Sequence, residues 1–265
     1  MNRNAFTISF ANHSIFRLLY LSILVIVTSN LHSQQTTLKL WYNKPAGTEW
    51  EAALPIGNGR LAAMVYGNPE NEIFQLNESS VWSGGPSRND GPEALSALPE
   101  VRSLIFQGKY QEASKLAAEK IKSNKNNGMK YQPVGNLNLN FPGHNNYTGY
   151  YRDLDLEHAT VTTSYTVNDI KYTRMAFASI PDQAIIIRLT ASKPASLNFT
   201  AAMTSPQKST AKTKNKDELI LTGISSEKDG VPGQVRFEGI CKIKNEGGTL
   251  AISDNQIRVS NANAV

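Results

Sequence analysis

Leu54-Pro55-Ile56-Gly57-Asn58-Gly59-Arg60-Leu61-Ala62-Ala63-Met64-Val65-Tyr66-Gly67 is followed closely by Phe74-Gln75-Leu76-Asn77-Glu78-Ser79-Ser80-Val81-Trp82-Ser83-Gly84-Gly85-Pro86. Arg60 to Tyr66 is a nearly continuous apolar run of strand length. It is entered through Asn58-Gly59, a dipeptide that favours a tight turn with positive φ at both central residues. Glu72 to Leu76 then alternates polar and apolar, the period of a half-buried strand. Ser, Gly and Pro take over beyond Ser79, which is the chemistry of a loop. The two stretches read as successive strands joined by turns.

The same pattern runs outward from them in both directions. Leu38 to Tyr42 alternates, with Trp41 as an early anchor. Strand-like runs follow at Leu137 to Phe141, Tyr150 to Leu156, Ala159 to Thr166, Lys171 to Ser179, Gln183 to Thr190, Ser196 to Ala202, Glu218 to Ile224, Gln234 to Lys244, Gly248 to Ser253 and Gln256 to Val259. Asn168-Asp169, Pro181-Asp182 and Ser253-Asp254-Asn255 supply turn chemistry between them. Many strands at short spacing predict a mainly β fold, a large two-sheet β-sandwich. About residues 93–122 the period becomes helical: Val101, Leu104 and Ile105, then Tyr110, Ala113, Leu116, Ala117 and Ile121. A short helical insertion of two or three helices is expected there, one of them starting at Pro99 and stopping at Gly108.

Length and composition narrow the function classes. The chain has 265 residues and a formal charge of +5. Arg3, Arg17, the apolar run Leu18 to Val27 and the polar stretch Thr28 to Ser33 read as a signal peptide over residues 1–33, with cleavage after Ser33. The apolar run is shorter than the ~20 residues that span a bilayer. The expected product is exported, periplasmic or extracellular, with no membrane span after cleavage. Its residues 34–265 suit one large β-domain or two small ones. Without Arg3 and Arg17 the net charge is +3. Lys208, Lys212, Lys214 and Lys216 alternate with Thr and Asn and read as a solvated loop, not a nucleic-acid patch. Cys241 is the only cysteine, so no internal disulfide can form.

The two opening stretches resemble the signature of glycoside hydrolase family 95, the bacterial α-L-fucosidases. Further matching segments follow in order: Leu40-Trp41-Tyr42-Asn43-Lys44-Pro45-Ala46, Leu98-Pro99-Glu100-Val101-Arg102, Tyr131-Gln132-Pro133-Val134-Gly135-Asn136-Leu137, Tyr151-Arg152-Asp153-Leu154-Asp155-Leu156, Tyr172-Thr173-Arg174, Phe177-Ala178-Ser179 and Pro181-Asp182-Gln183. Ala63, Asn136 and Met175 stand where the family often has Gly, Asp and Glu. The resemblance implies an N-terminal β-sandwich domain that packs on an (α/α)6 barrel. It implies inverting removal of α-linked L-fucose from fucosylated glycans without a cofactor or metal. It also implies that the catalytic glutamate and the asparagine–aspartate pair lie in the barrel, beyond Val265. No catalytic residue is therefore assigned, and residues 34–265 are expected to be inactive alone.

The residues themselves offer one pair of carboxylates and one loop. Asp153 and Asp155 alternate on one strand and lie about 7 Å apart. They approach from one side, whereas an inverting pair flanks the sugar, so they read as solvent-facing sheet residues. Asn77, Glu78 and Trp82 lie where a strand gives way to a loop, a usual place for sites. Trp82 could stack on a sugar ring while Asn77 and Glu78 bond its hydroxyls, or the segment could be a capped turn with Trp82 in a domain interface. Arg60 could bond Glu78 or substrate, or be an ordinary strand-edge arginine. Trp50 reads as a packing residue. Two other classes stay open: a free-standing carbohydrate-binding sandwich, and the N-terminal sandwich of another barrel glycosidase or glycoside phosphorylase.

Overall fold

The structure, a computed structural model, describes residues 38–265 except 87, 89 and 124–127. The expected signal peptide lies outside the described residues. The elements in chain order are β1 (Lys39–Tyr42), a 3-10 turn (Trp50–Ala52), β2 (Leu54–Gly57), β3 (Leu61–Val65), β4 (Asn71–Glu78), α1 (Ala94–Phe106), α2 (Tyr110–Lys120), β5 (Gly135–Asn140), β6 (Thr148–Asp155), β7 (Thr160–Val167), β8 (Ile170–Ser179), β9 (Ala184–Ala191), β10 (Leu197–Thr204), β11 (Lys208–Lys214), β12 (Glu218–Ile224), β13 (Arg236–Lys242), β14 (Thr249–Ser253) and β15 (Gln256–Ala262). The mainly β fold with its helical insertion is as the sequence predicts.

Three antiparallel sheets form. One has the order β1-β6-β7-β8-β9, a second β14-β15-β10-β5-β4-β3-β2, and a third β11-β12-β13. Alternation explains the packing. Val161, Tyr165 and Val167 of β7, with Ala176 and Leu189, project from the five-stranded sheet into one core. Leu137 and Leu139 of β5, Phe199, Ala201 and Met203 of β10, and Ile257 and Val259 of β15 enter it from the seven-stranded sheet. Leu219 and Leu221 of β12 join from the third sheet. The opposite face of the seven-stranded sheet carries polar pairs, Asn138 with Thr204 and Asn140 with Asn71, and a small apolar cluster in which Met64 and Ile73 pack on Ala46, Ala53 and Tyr66.

Several local expectations are corrected. Lys208 to Lys214 is not a loop but the strand β11, paired with β12 from Lys208↔Ile224 to Lys214↔Glu218. Its lysines are exposed on an edge strand, where charge discourages pairing with other chains. Pro99 does not open a helix; it sits inside α1. In the Asn58-Gly59 turn only Gly59 takes positive φ. Asn58 instead accepts the Arg60 and Leu61 N–H groups on its Oδ1. Trp41 is no anchor: it is 62% exposed on β1. Trp50 is also exposed, and its Nε1–H donates to Gln75 Oε1 at 2.8 Å.

A buried polar knot ties the first opening stretch to the five-stranded sheet. Glu72, fully buried, accepts the Gly67 N–H at 2.7 Å and the Ile73 N–H at 3.1 Å. The Arg174 guanidinium donates to Glu72 Oε2 (3.0 Å), the Asn68 carbonyl (2.6 Å), the Pro69 carbonyl and the Tyr165 hydroxyl. It lies over the Phe141 ring, 4.1 Å from the centroid. Arg152 holds the neighbouring segment through the Lys44 and Ala52 carbonyls.

His144 packs on the same knot, with Nδ1 2.9 Å from the Tyr165 hydroxyl. Burial, and then the nearby Arg174 charge, push its pKa down to about 4. Because the folded value lies below the ordinary 6.5, the unfolded chain takes up the proton first. The contribution of His144 is thus full above about pH 6.5 and is lost as pH falls to about 4. The loss is as much as about 3 kcal/mol at ~1.4 kcal/mol per unit. Thermal melts should show the wild type losing Tm between pH 7 and 4.5 more steeply than His144→Gln; parallel slopes would refute this assignment.

Candidate functional site

The hairpin between β2 and β3, the end of β4 and the turn between β8 and β9 meet at one end of the sheets. Asn58 Nδ2 donates to the Ser179 carbonyl at 2.8 Å, and Arg60 Nε donates to Gln183 Oε1 at 2.9 Å. The β8–β9 turn is itself braced by the Ser179 hydroxyl, which donates to Asp182 Oδ2 at 2.5 Å. Segments far apart in sequence, the first opening stretch and Phe177 to Gln183, thus become neighbours.

Glu78 ends β4 and caps the turn that follows. Its Oε2 accepts the Ser80 N–H at 2.8 Å and the Ser80 hydroxyl at 2.6 Å. Its Oε1 lies 3.7 Å from Arg60 Nη1. The pair is partly exposed, so it contributes modestly, about 0–1 kcal/mol. Trp82 follows in the same turn, with Nε1–H donating to the Ser79 carbonyl at 2.9 Å. Its ring meets Tyr131 edge-on, centroids 5.4 Å apart, and the Tyr131 hydroxyl donates to the Glu78 carbonyl at 3.1 Å. Both rings are 44% exposed, so Trp82 is not buried within this domain.

The structure brings Arg60, Glu78 and Trp82 together. Asn77 also borders the cleft beside Glu78; neighbours on a strand point oppositely, and its Nδ2 turns back to the Gln75 carbonyl. Gln183 and Tyr131 complete the cluster. Nothing local in the sequence marks them, although both fall in segments that carry the family resemblance.

Arg60 and Glu78 stand on the rim of a cleft of about 1250 Å³, whose interior includes Leu76, Leu137, Phe199, Met203 and Ile187. The rim can hydrogen-bond hydroxyl groups and the interior is largely apolar; the exposed Trp82 indole follows the lining residues Ser80 and Val81 in the adjoining turn. Glu78 is committed to Ser80 and Arg60. Glu238 and Glu246 also line the cleft, and Glu246 Oε1 lies 3.6 Å from Arg188 Nη2. The strand carboxylates Asp153 and Asp155 are tied down elsewhere. Lys39 Nζ lies 3.0 Å from Asp153 and 3.4 Å from Asp155, and the Tyr151 hydroxyl donates to Asp153 at 2.9 Å. Asp153 is buried, not solvent-facing. The backbone N–H of His158 leads the interactions that lower the Asp155 pKa to about 2. Among the described residues no group of three or more His, Cys, Asp or Glu side chains is placed to hold a metal ion.

The domain is strand-rich, with a polar loop cluster at the mouth of an apolar cleft. The family model described as "Glycosyl hydrolase family 65, N-terminal domain" matches residues 40–265, and the chain belongs to that family. It is 41% identical over 187 residues to "Alpha-L-fucosidase 2" of Arabidopsis thaliana, covering 69% of this chain and 22% of that protein. It is 33% identical over 159 residues to "Probable alpha-fucosidase A" of Aspergillus niger, covering 57% and 19% respectively. These matches support the recognition of a family 95 N-terminal domain, although the family model carries the number 65. The chain spans about a fifth of the length of the curated relatives it matches.

Proposed function

We propose that this chain is the N-terminal domain of an exported α-L-fucosidase-type glycoside hydrolase that acts with inversion on fucosylated glycans. Its role would be to support a catalytic barrel and to offer the Arg60–Glu78–Trp82 cluster to that barrel or to its substrate. The likeness to α-fucosidases across more than half of the chain carries this reading. The exposed Trp82 and Tyr131 rings, tied to Glu78 through the Tyr131 hydroxyl, support it.

The test is a fucose-release assay on 2′-fucosyllactose, with residues 38–265 and with the polypeptide extended past Val265. The extended protein should release L-fucose and the isolated domain none, because the acid and base are expected in the barrel beyond Val265. Turnover by the isolated domain, or another released sugar, would overturn the assignment.

A further inference from the structure

Trp41 is left largely out of the packing: it is exposed on β1, the edge strand at the far side of the five-stranded sheet from β9. Trp50 and Trp82 commit their indole N–H groups to Gln75 and Ser79, whereas the Trp41 indole donates to nothing among the described residues. Strand pairing fixes its neighbours. Trp41 lies opposite Asp153 of β6, Asp153 opposite Thr162 of β7, and Tyr151 opposite Ser164. Paired side chains share a face, and every second residue along a strand returns to it. Leu154, Val161 and Tyr165 alternate with these residues and enter the core, so Trp41, Tyr151 and Thr162 stand on the outer face. There the Asp153 carboxylate is gripped by Lys39 Nζ and the Tyr151 hydroxyl. Trp41 and Tyr151 are diagonal neighbours across the strand pair, about 7–8 Å apart, and both rings are exposed.

We propose that this face binds a neutral glycan chain. The Trp41 and Tyr151 rings stack on the C–H faces of its sugar rings, and Lys39, Asp153 and Thr162 hydrogen-bond its hydroxyl groups. A sugar ring is apolar on its faces and polar around its rim, and rigid aromatic rings beside fixed donors and acceptors match both properties. Charge argues against a polyanion. One lysine facing Asp153 and Asp155 leaves a single net negative charge, which disfavours nucleic acid, phosphate or an anionic lipid surface. A purely apolar partner would cover Lys39 and the neighbouring hydroxyls without bonding them, at a desolvation cost. The surface is separate from the Arg60–Glu78–Trp82 cluster. Arg60 bonds Gln183 in the turn between β8 and β9, and β1 lies four strand spacings from β9, about 19 Å. It therefore stands independently of the fucosidase reading.

Affinity electrophoresis of the purified protein in gels containing hydroxyethylcellulose, galactomannan or pectic galactan tests this without reference to any fucosidase activity. At least one of these neutral polymers should retard the protein. Trp41→Ala should weaken that binding at least about tenfold. Its Tm should stay within about 2 °C of wild type, because the side chain is exposed. Trp41→Phe, which keeps a flat ring, should retain part of the binding, and Trp82→Ala should bind as the wild type does. Retardation by none of the three polymers would overturn the proposal, as would equal retardation of Trp41→Ala. Loss of binding in Trp82→Ala would also overturn it, by moving the glycan to the other cluster. So would Trp41-dependent binding to dextran sulfate alone, because the ligand would then be a polyanion. Self-association in sedimentation that Trp41→Ala abolishes would do the same, because a second copy would then cover the face. Fucose release by the extended protein should be unchanged in Trp41→Ala, so this proposal and the fucosidase reading fail separately.

Discussion

Arg174→Ala should destabilise the domain by about 3–5 kcal/mol, the range for breaking a buried ion pair from one side. The substitution strips Glu72 of its only cationic partner among the described residues while leaving it fully buried. Burial already pushes the Glu72 carboxyl above its ordinary pKa, against the pull of Arg174 and of the Gly67 and Ile73 N–H groups. The Asn68 and Pro69 carbonyls and the Tyr165 hydroxyl lose a donor at the same time. For a domain this size each kcal/mol moves Tm by about 2–4 °C, so a fall of roughly 6–20 °C is expected. Arg174→Lys should recover little, because a point charge cannot reach four acceptors in fork geometry. Replacing both partners, Arg174→Met with Glu72→Leu, should recover part of the loss, since an apolar pair leaves no orphaned charge. An Arg174→Ala melt within about 2 °C of wild type would show that the knot does not hold the Gly67 to Glu72 corner.

Gly135→Ala should be comparably severe. Gly135 opens β5 at φ +155°, and a Cβ there would overlap the Thr204 carbonyl and crowd the Leu221 methyl at 2.9 Å. The first contact is backbone, so no side chain can move to make room. Backbone strain of about 1–3 kcal/mol combines with overpacking of about 1–3 kcal/mol. The damage falls where the seven-stranded sheet meets β12 of the third sheet, so urea unfolding should show a clearly lower midpoint for Gly135→Ala. An unchanged midpoint would mean that β5 and β10 separate at no cost.

Periodicity made most strands legible. Leu137 and Leu139 alternate with Asn136, Asn138 and Asn140, and the strand lies where that pattern puts it, apolar side inward. β2 was missed because Pro55 interrupts Leu54 to Gly57; proline is tolerated there since β2 is an edge strand of the seven-stranded sheet. β11 does not read as a strand because its three lysines, with Lys216 just beyond, outweigh the weak alternation of Ser, Thr and Ala. The third sheet was not foreseen either, because runs of alternation do not say which strands pair.

The site was legible only in its local part. Arg60, Glu78 and Trp82 come together because a hairpin and a turn place them near one another. Gln183 bonds Arg60 across 123 positions, and Tyr131 bonds Glu78 across 53. Such partners follow from how the sheets close. The Glu72–Arg174 knot is hidden for the same reason, its members being 102 residues apart.

The most direct test of the central claim, that this is the N-terminal domain of a longer glycoside hydrolase, is to sequence the source DNA through and beyond the Val265 codon. The account predicts an open frame of several hundred further codons that encodes a helical barrel. A stop codon immediately after Val265 would contradict it and would favour a free-standing sugar-binding sandwich.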